Sequence, residues 1–214
     1  MLWDLAGTLV DSAEFHWRSW RDTMAAEGLP ITYQQFSDTF GQKNEPILKS
    51  WLGTDATPDR IARIADTKET AYRRLARQNG LTPLPGAAEW TMRLRREGWR
   101  QALATSAPRA NVEVMLEALG FNGRFDAIVA AEDVTMGKPD PQVFLKAAEM
   151  LGVPPSGCIV VEDAAAGVEA ARRAGMRSVG VSRTAALDAD LVVPSLADLP
   201  PDAFSVLLSR LNRE

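Results

Sequence analysis

The segment CIVVEDAAAGVEAARRAGMRSVGV, residues 158–181, holds two short apolar runs around an alanine-rich stretch. Residues 158–161 form an unbroken apolar run of strand length, as expected of a strand covered on both faces. The acidic pair Glu162-Asp163 follows at once. Residues 166–174 then read as a helix, and residues 178–181 as a second strand. Strand, helix and strand in so few residues make a βαβ unit, and βαβ units build parallel sheets.

The same alternation extends back to Gly86. Helices are expected over 87–97, over 108–119 with Val112, Met115, Leu116 and Leu119 inward, and over 140–151, ended by Gly152. Strands are expected over 100–105 and 126–131, and a last short one over 191–194. At the start, Met1-Leu2-Trp3 makes a short strand, clipped or beginning upstream, that runs into Asp4. The stretch between reads differently, with helices over 13–27, 32–40, 45–52 and one opened by Thr57-Pro58. Thr as N-cap with Pro in the first turn marks that start, and Ile61, Ile64, Lys68, Ala71 and Leu75 form its apolar-side stripe. The segment LTPLPG, residues 81–86, closes it. The expected fold is therefore α/β: a Rossmann-like doubly wound parallel sheet core from residues 1–13 and 81–214, with a helical insert, residues 14–80, after the first strand.

Composition narrows the function. With 24 Lys+Arg against 28 Asp+Glu, the net charge of −4 argues against nucleic-acid binding, which rests on a positive field. One cysteine precludes an internal disulfide framework and fits a reducing compartment. No run approaches the roughly 20 apolar residues of a membrane span, and no signal peptide precedes Asp4, so a cytoplasmic location is expected. A monomer is the default expectation. One histidine, His16, leaves little room for a Ser-His-Asp triad or a multi-histidine zinc site. Carboxylates, lysines and hydroxyls must carry the chemistry.

In an open α/β sheet, ligands bind at the carboxyl ends of the strands. Those ends carry Asp4, Thr105 and Glu162-Asp163, and Lys138 lies in the loop after the third strand. Carboxylates gathered on one rim repel unless a cation intervenes, and oxygen ligands point to Mg²⁺. Lys and Thr beside them suit the oxygens of a phosphoryl group. Each residue has a plainer reading too. Asp4 suits a turn, Thr105-Ser106 a helix cap, Lys138 an exposed loop, and Glu162-Asp163 a helix N-terminus. Four such residues at successive strand ends favour the functional reading.

The motifs DLAGTLVDS (residues 4–12), Ala104-Thr105-Ser106, Gly137-Lys138-Pro139 and Val160-Val161-Glu162-Asp163 resemble those of the haloacid dehalogenase superfamily. The closest likeness is to its β-phosphoglucomutase-like subfamily, which carries a helical cap after the first strand. It covers nearly the whole chain, including AEFHW (residues 13–17) and GVEAA (residues 167–171). The resemblance implies Asp4 as a nucleophile that becomes an aspartyl-phosphate, Thr105 on a phosphate oxygen, and Lys138 offsetting charge. It implies Mg²⁺ held by Asp4, the carbonyl of Ala6, Asp163 and Glu162. Gly7, Thr8, Ser106 and Ala107 would border the phosphate, with His16, Lys43 and Asn44 on the cap side. A cap that closes would exclude water from a small phosphorylated metabolite, such as a sugar phosphate.

One position departs from the family. Most of its members carry a second Asp two residues after the nucleophile as general acid and base, and here that residue is Ala6. Such help is typically worth 10²–10⁴-fold. Three explanations stand: an introduced substitution in an ordinary phosphatase, a phosphonoacetaldehyde-hydrolase-like enzyme using a cap lysine such as Lys43, or a non-catalytic phosphometabolite binder. Asn44 with Lys43 stands where the mutase has a phosphate-gripping Arg, which favours a monoester phosphatase over a mutase. His16 suits a hinge or acid–base role, or a structural one. Trp17, Trp20 and Trp51 read as cap core. Asp11, Arg109 and Asn111 border the pocket without assigned roles.

Overall fold

β1 (Leu2–Trp3) contributes two residues, both fully buried, and each faces a different hydrophobic layer. The computed structural model describes residues 1–183 and 186–209. β1 is flanked by β2 (Ala102–Ala104) and β4 (Ile159–Glu162). β3 (Ala127–Val129) lies beyond β2; β5 (Arg177–Val181) and β6 (Leu191–Val193) lie beyond β4. The order is β3-β2-β1-β4-β5-β6, and every pairing is parallel.

The pleat separates the two layers. Leu2, Ala102, Ala104 and Val160 pack against α7 (Gln142–Leu151) and α8 (Ala165–Arg173). Trp3, Leu103, Ile159, Val161 and Val179 pack on the other face, with α5 (Ala87–Arg96), α6 (Arg109–Leu119) and α9 (Ala203–Ser209). Side chains alternating across each strand are what permit helices on both faces.

Between β1 and β2 lie α1 (Ala13–Ala26), α2 (Tyr33–Thr39), α3 (Asn44–Leu52) and α4 (Pro58–Asn79). They share their own apolar cluster around Trp20, Met24, Phe36, Leu48 and Ile64. Trp20 meets Trp51 edge to face at 5.0 Å, and Trp17 packs against the same cluster. The Thr57 hydroxyl caps α4 by accepting from the Arg60 amide.

Three sequence expectations need correction, one of them β2, expected over 100–105 and found at Ala102–Ala104. The buried stripe of α4 runs through Ile61, Ile64, Lys68, Tyr72 and Ala76; Ala71 and Leu75 are only half-buried. Steps of four keep a face aligned along a 3.6-residue helix, and this one carries Tyr72 and Ala76 out of the insert into the sheet's own core. The strand expected over 126–131 is also shorter. The Asp133 carboxylate accepts from the Ala130 amide and turns the chain into a 3₁₀ segment at Ala131–Asp133. Among the described residues, no helix is long and apolar enough to cross a membrane.

Candidate active site

The chain leaves β1 and then builds outward through β2 and β3, before β4 returns to β1's other side. Connections therefore diverge at the carboxyl ends of β1 and β4, the place where doubly wound sheets open a crevice. Asp4 sits there, its amide donating to the Val161 carbonyl at 3.0 Å. Lys138 Nζ donates to Asp4 Oδ1 at 2.6 Å and also to Glu162 Oε1. Glu162 Oε2 accepts from the amides of Asp163 and Ala164 at 3.0 and 3.1 Å. The Thr8 hydroxyl donates to Asp163 Oδ1 at 3.2 Å. Carboxylate oxygens of Asp4, Glu162 and Asp163 lie within 4.8 Å of one another.

Two glycines make this crowding possible. A Cβ on Gly7 would lie 2.0 Å from Asp163 Oδ2, and one on Gly167 would lie 2.0 Å from Glu162 Oε1. Gly7 also has φ +90°, a conformation that favours glycine. Its amide donates to the Val10 carbonyl, so Gly7 serves the turn and the space beside Asp163.

Burial holds the Asp4 carboxyl well above its ordinary pKa; Glu162 and Asp163 add to the rise while Lys138 opposes it. Asp163 is pushed up to about 7 by burial and by Glu162. Burial tends to lower the Lys138 pKa, but Asp4 and Glu162 prevail and keep its ammonium charged. Three crowded carboxylates with one ammonium leave an excess of buried negative charge. A hard divalent cation with oxygen ligands fits that set. Of the three, Asp4 and Asp163 are the ones suited to hold it, because Glu162 already bonds Lys138 and two amides.

A cavity of about 350 Å³ opens above Asp4. Ala6, Thr105, Ser106 and Ala107 line it on the sheet side, and His16, Lys43 and Asn44 on the cap side. Thr105 Oγ1 accepts from the Ala107 amide at 3.2 Å, which closes a turn ahead of α6 and does not cap that helix, whose N-cap is Pro108. Ala6 presents only a methyl group. Lys43 Nζ donates to the carbonyls of Ala131 and Val134 at 3.0 and 2.9 Å, which ties the cap to the core.

Sequence reading missed the partners of His16. Lys68 and Glu69 are both buried in the cap, and Lys68 Nζ lies 2.9 Å from His16 Nδ1 and 2.7 Å from Glu69 Oε1. Asn44 Nδ2 donates to Glu69 Oε1 at 2.8 Å, and Asn111 Nδ2 donates to Oε2. His16 stacks on Tyr72 with centroids 4.0 Å apart. Burial and the Lys68 charge hold the His16 pKa well below its usual value, so its neutral ring accepts from Lys68. Lys68 on the apolar stripe was the available signal, because a buried lysine demands a partner. Asn111 reaches Glu69, Arg109 pairs with Asp133, and Asp11 accepts from the Ala13 amide.

The family model for haloacid dehalogenase-like hydrolases matches residues 1–175, from β1 through the Gly167 helix. The chain belongs to this family. Among its haloacid dehalogenase-like relatives, the β-phosphoglucomutase of Bacillus subtilis (strain 168) is 34% identical over 208 residues, covering 93% of this chain and 90% of that one. Fructose-1-phosphate phosphatase YqaB of Escherichia coli (strain K12) is 32% identical over 188 residues, covering 85% and 95%. The crystal structure of β-phosphoglucomutase from Clostridium difficile superposes with a TM-score of 0.90 at 28% identity, over 100% of this chain and 98% of that one. The haloacid dehalogenase-like assignment makes this chain a hydrolase by family, with the α/β fold of its β-phosphoglucomutase-like members.

Proposed function

We propose that this chain is a Mg²⁺-dependent phosphatase of small phosphate monoesters, working through an aspartyl-phosphate on Asp4 and slowed by Ala6. The observation that carries the reading is Asp4 at the cavity floor, with Lys138 on Oδ1 and two further carboxylates beside it. Relatives named as sugar-phosphate phosphatases and phosphomutases support the substrate class. The buried Cys158 suits a cytoplasmic setting.

Lys138 engages one Asp4 oxygen, which leaves the other to attack phosphorus. As that P–O bond forms, the bond to the alcohol oxygen breaks, and the alkoxide needs a proton. Thr105 and the Ser106-Ala107 turn border the phosphoryl oxygens from the end of β2. A cation held by Asp4 and Asp163 would supply positive charge to those oxygens. Water then attacks the phosphoenzyme and regenerates Asp4. Ala6 can neither protonate the alkoxide nor activate the water, so both steps lose general acid–base help of about 10²–10⁴-fold. The cap shields the intermediate from bulk water.

The C–P hydrolase reading needs a free cap lysine, and Lys43 is engaged with two core carbonyls. The test is phosphate release from a panel of monoesters, with Mg²⁺ and with chelator, by this chain and by Ala6→Asp. Mg²⁺-dependent release should rise by about a hundredfold or more in Ala6→Asp. No release by either form, from any ester, refutes the reading.

A further inference from the structure

The cavity changes character with distance from Asp4. Its floor is polar, and Lys68 marks a boundary, with Nζ 5.0 Å from the Trp20 ring centroid. Beyond it the wall is Trp20, Phe36, Phe40, Ile47, Ile61 and Ala65. Four of these, Trp20, Phe36, Ile47 and Ile61, are buried members of the cap's own apolar cluster. The cavity therefore reaches into that cluster, which does not close over it.

Most polar side chains on the cap wall, Gln42 excepted, are engaged with the protein. The Thr39 hydroxyl donates to the carbonyls of Gln35 and Phe36 at 3.1 and 3.0 Å. Asn44 bonds Glu69, and Glu45 pairs with Lys49 at 2.7 Å. Lys68 and Glu69 bond each other, and Lys43 is bound to core carbonyls. A hydroxyl placed among the apolar side chains at this end would leave water for a wall with few free donors or acceptors, which opposes binding. An apolar group there gains by leaving water. A cavity of about 350 Å³ lies at the small end of ligand pockets, enough for one ring beside a phosphoryl group.

We infer that the cap end of the cavity is an apolar subsite that takes a ring-sized hydrocarbon group of the substrate's alcohol while the phosphoryl group lies at Asp4. The inference rests on the phosphatase reading and narrows it. The family relationship leaves the substituent open; the wall residues and their engaged polar neighbours select it.

Cyclohexylmethyl phosphate and glucose 6-phosphate test it, since both present a six-membered ring and a primary alcohol as leaving group. With Ala6→Asp in the presence of Mg²⁺, kcat/KM should be at least tenfold higher for the cyclohexylmethyl ester. Calorimetry on the chain as it stands should show tighter binding of that ester with a negative heat-capacity change. Ile61→Thr and Phe40→Ser, each added to Ala6→Asp, should narrow the kcat/KM ratio. Phe40 is only partly buried, so that variant reports even where the Ile61 change destabilises the cap. Equal or better use of glucose 6-phosphate, or a ratio unchanged in both variants, overturns the subsite and leaves the phosphatase reading intact. Neither release nor binding of any ester in the panel overturns both.

Discussion

Asn111, on the first core helix after β2, donates its side-chain amide to Glu69 in the cap. The same carboxylate receives Lys68 from its own helix and Asn44 from the start of α3. Arg73 adds a bond back from α4 to Asn111 at 3.2 Å. One buried carboxylate thus joins three elements and fixes the lysine that faces His16. Lys43 ties the cap to the core a second time, at the other side of the cavity.

Glu69 makes stability depend on acid. Burial would raise its pKa, but the Lys68 charge and the bonds from Lys68 and Asn111 outweigh burial and bring it down to about 2 from 4.5. A depressed folded pKa stabilises above the unfolded value and loses that contribution as pH falls. The loss should therefore run from about pH 4.5 down towards 2 and amount to on the order of 3 kcal/mol. Denaturant unfolding across that range should show the slope, and Glu69→Gln should flatten it. An unaltered slope in the variant would remove Glu69 from this role.

Lys43→Met removes the charged donor from the Ala131 and Val134 carbonyls. Charge-assisted bonds of this kind contribute about 1.5–3 kcal/mol. In an Ala6→Asp background, KM should rise by roughly tenfold or more through loss of that contribution, with a smaller change in kcat. Hydrogen exchange at the amides around Gly41 should quicken. Unchanged exchange and KM would mean that the cap closes without this tie.

Gly7→Ala and Gly167→Ala each place a methyl group onto a site carboxylate, Asp163 or Glu162. Overpacking of this sort costs about 1–3 kcal/mol, and here it displaces the acidic cluster itself. Calorimetric Mg²⁺ binding should weaken by more than about tenfold, while far-ultraviolet circular dichroism stays native. Wild-type affinity in both variants would mean that the carboxylates do not need this packing.

Ala6 should separate the two chemical steps. A nitrophenolate departs without protonation, so Asp4 can be phosphorylated by p-nitrophenyl phosphate. The water that opens the phosphoenzyme still lacks a base. With Mg²⁺ present, rapid mixing should give a burst of about one nitrophenolate per chain followed by slow turnover, the pattern of an accumulating covalent intermediate. Ala6→Asp should abolish the burst and speed the steady state. A linear time course from the first turnover would contradict it.

The fold was legible because its signals are local. Unbroken apolar runs such as residues 158–161 can only be buried on both faces, and alternation with helices then demands a parallel sheet. Strand ends were less legible. A side-chain bond such as Asp133 to the Ala130 amide terminates β3 early, and no periodicity announces it. Asp4, Thr105, Lys138 and Glu162-Asp163 could be placed on one rim because sheet topology converts strand order into proximity.

The cap chemistry did not follow in the same way. Lys68, Glu69, Asn44, Asn111 and His16 come from four helices, and their side chains meet only when the cap folds against the core. Patterning in the chain was enough for the α/β core, the helical insert and the acidic rim, because each rests on periodicity within an element or on its place in the strand order. The buried network and the apolar end of the cavity were decided by tertiary packing. Burial, charge pairing and enclosed volume depend on atoms far apart in the chain, and a linear pattern holds no record of their distances.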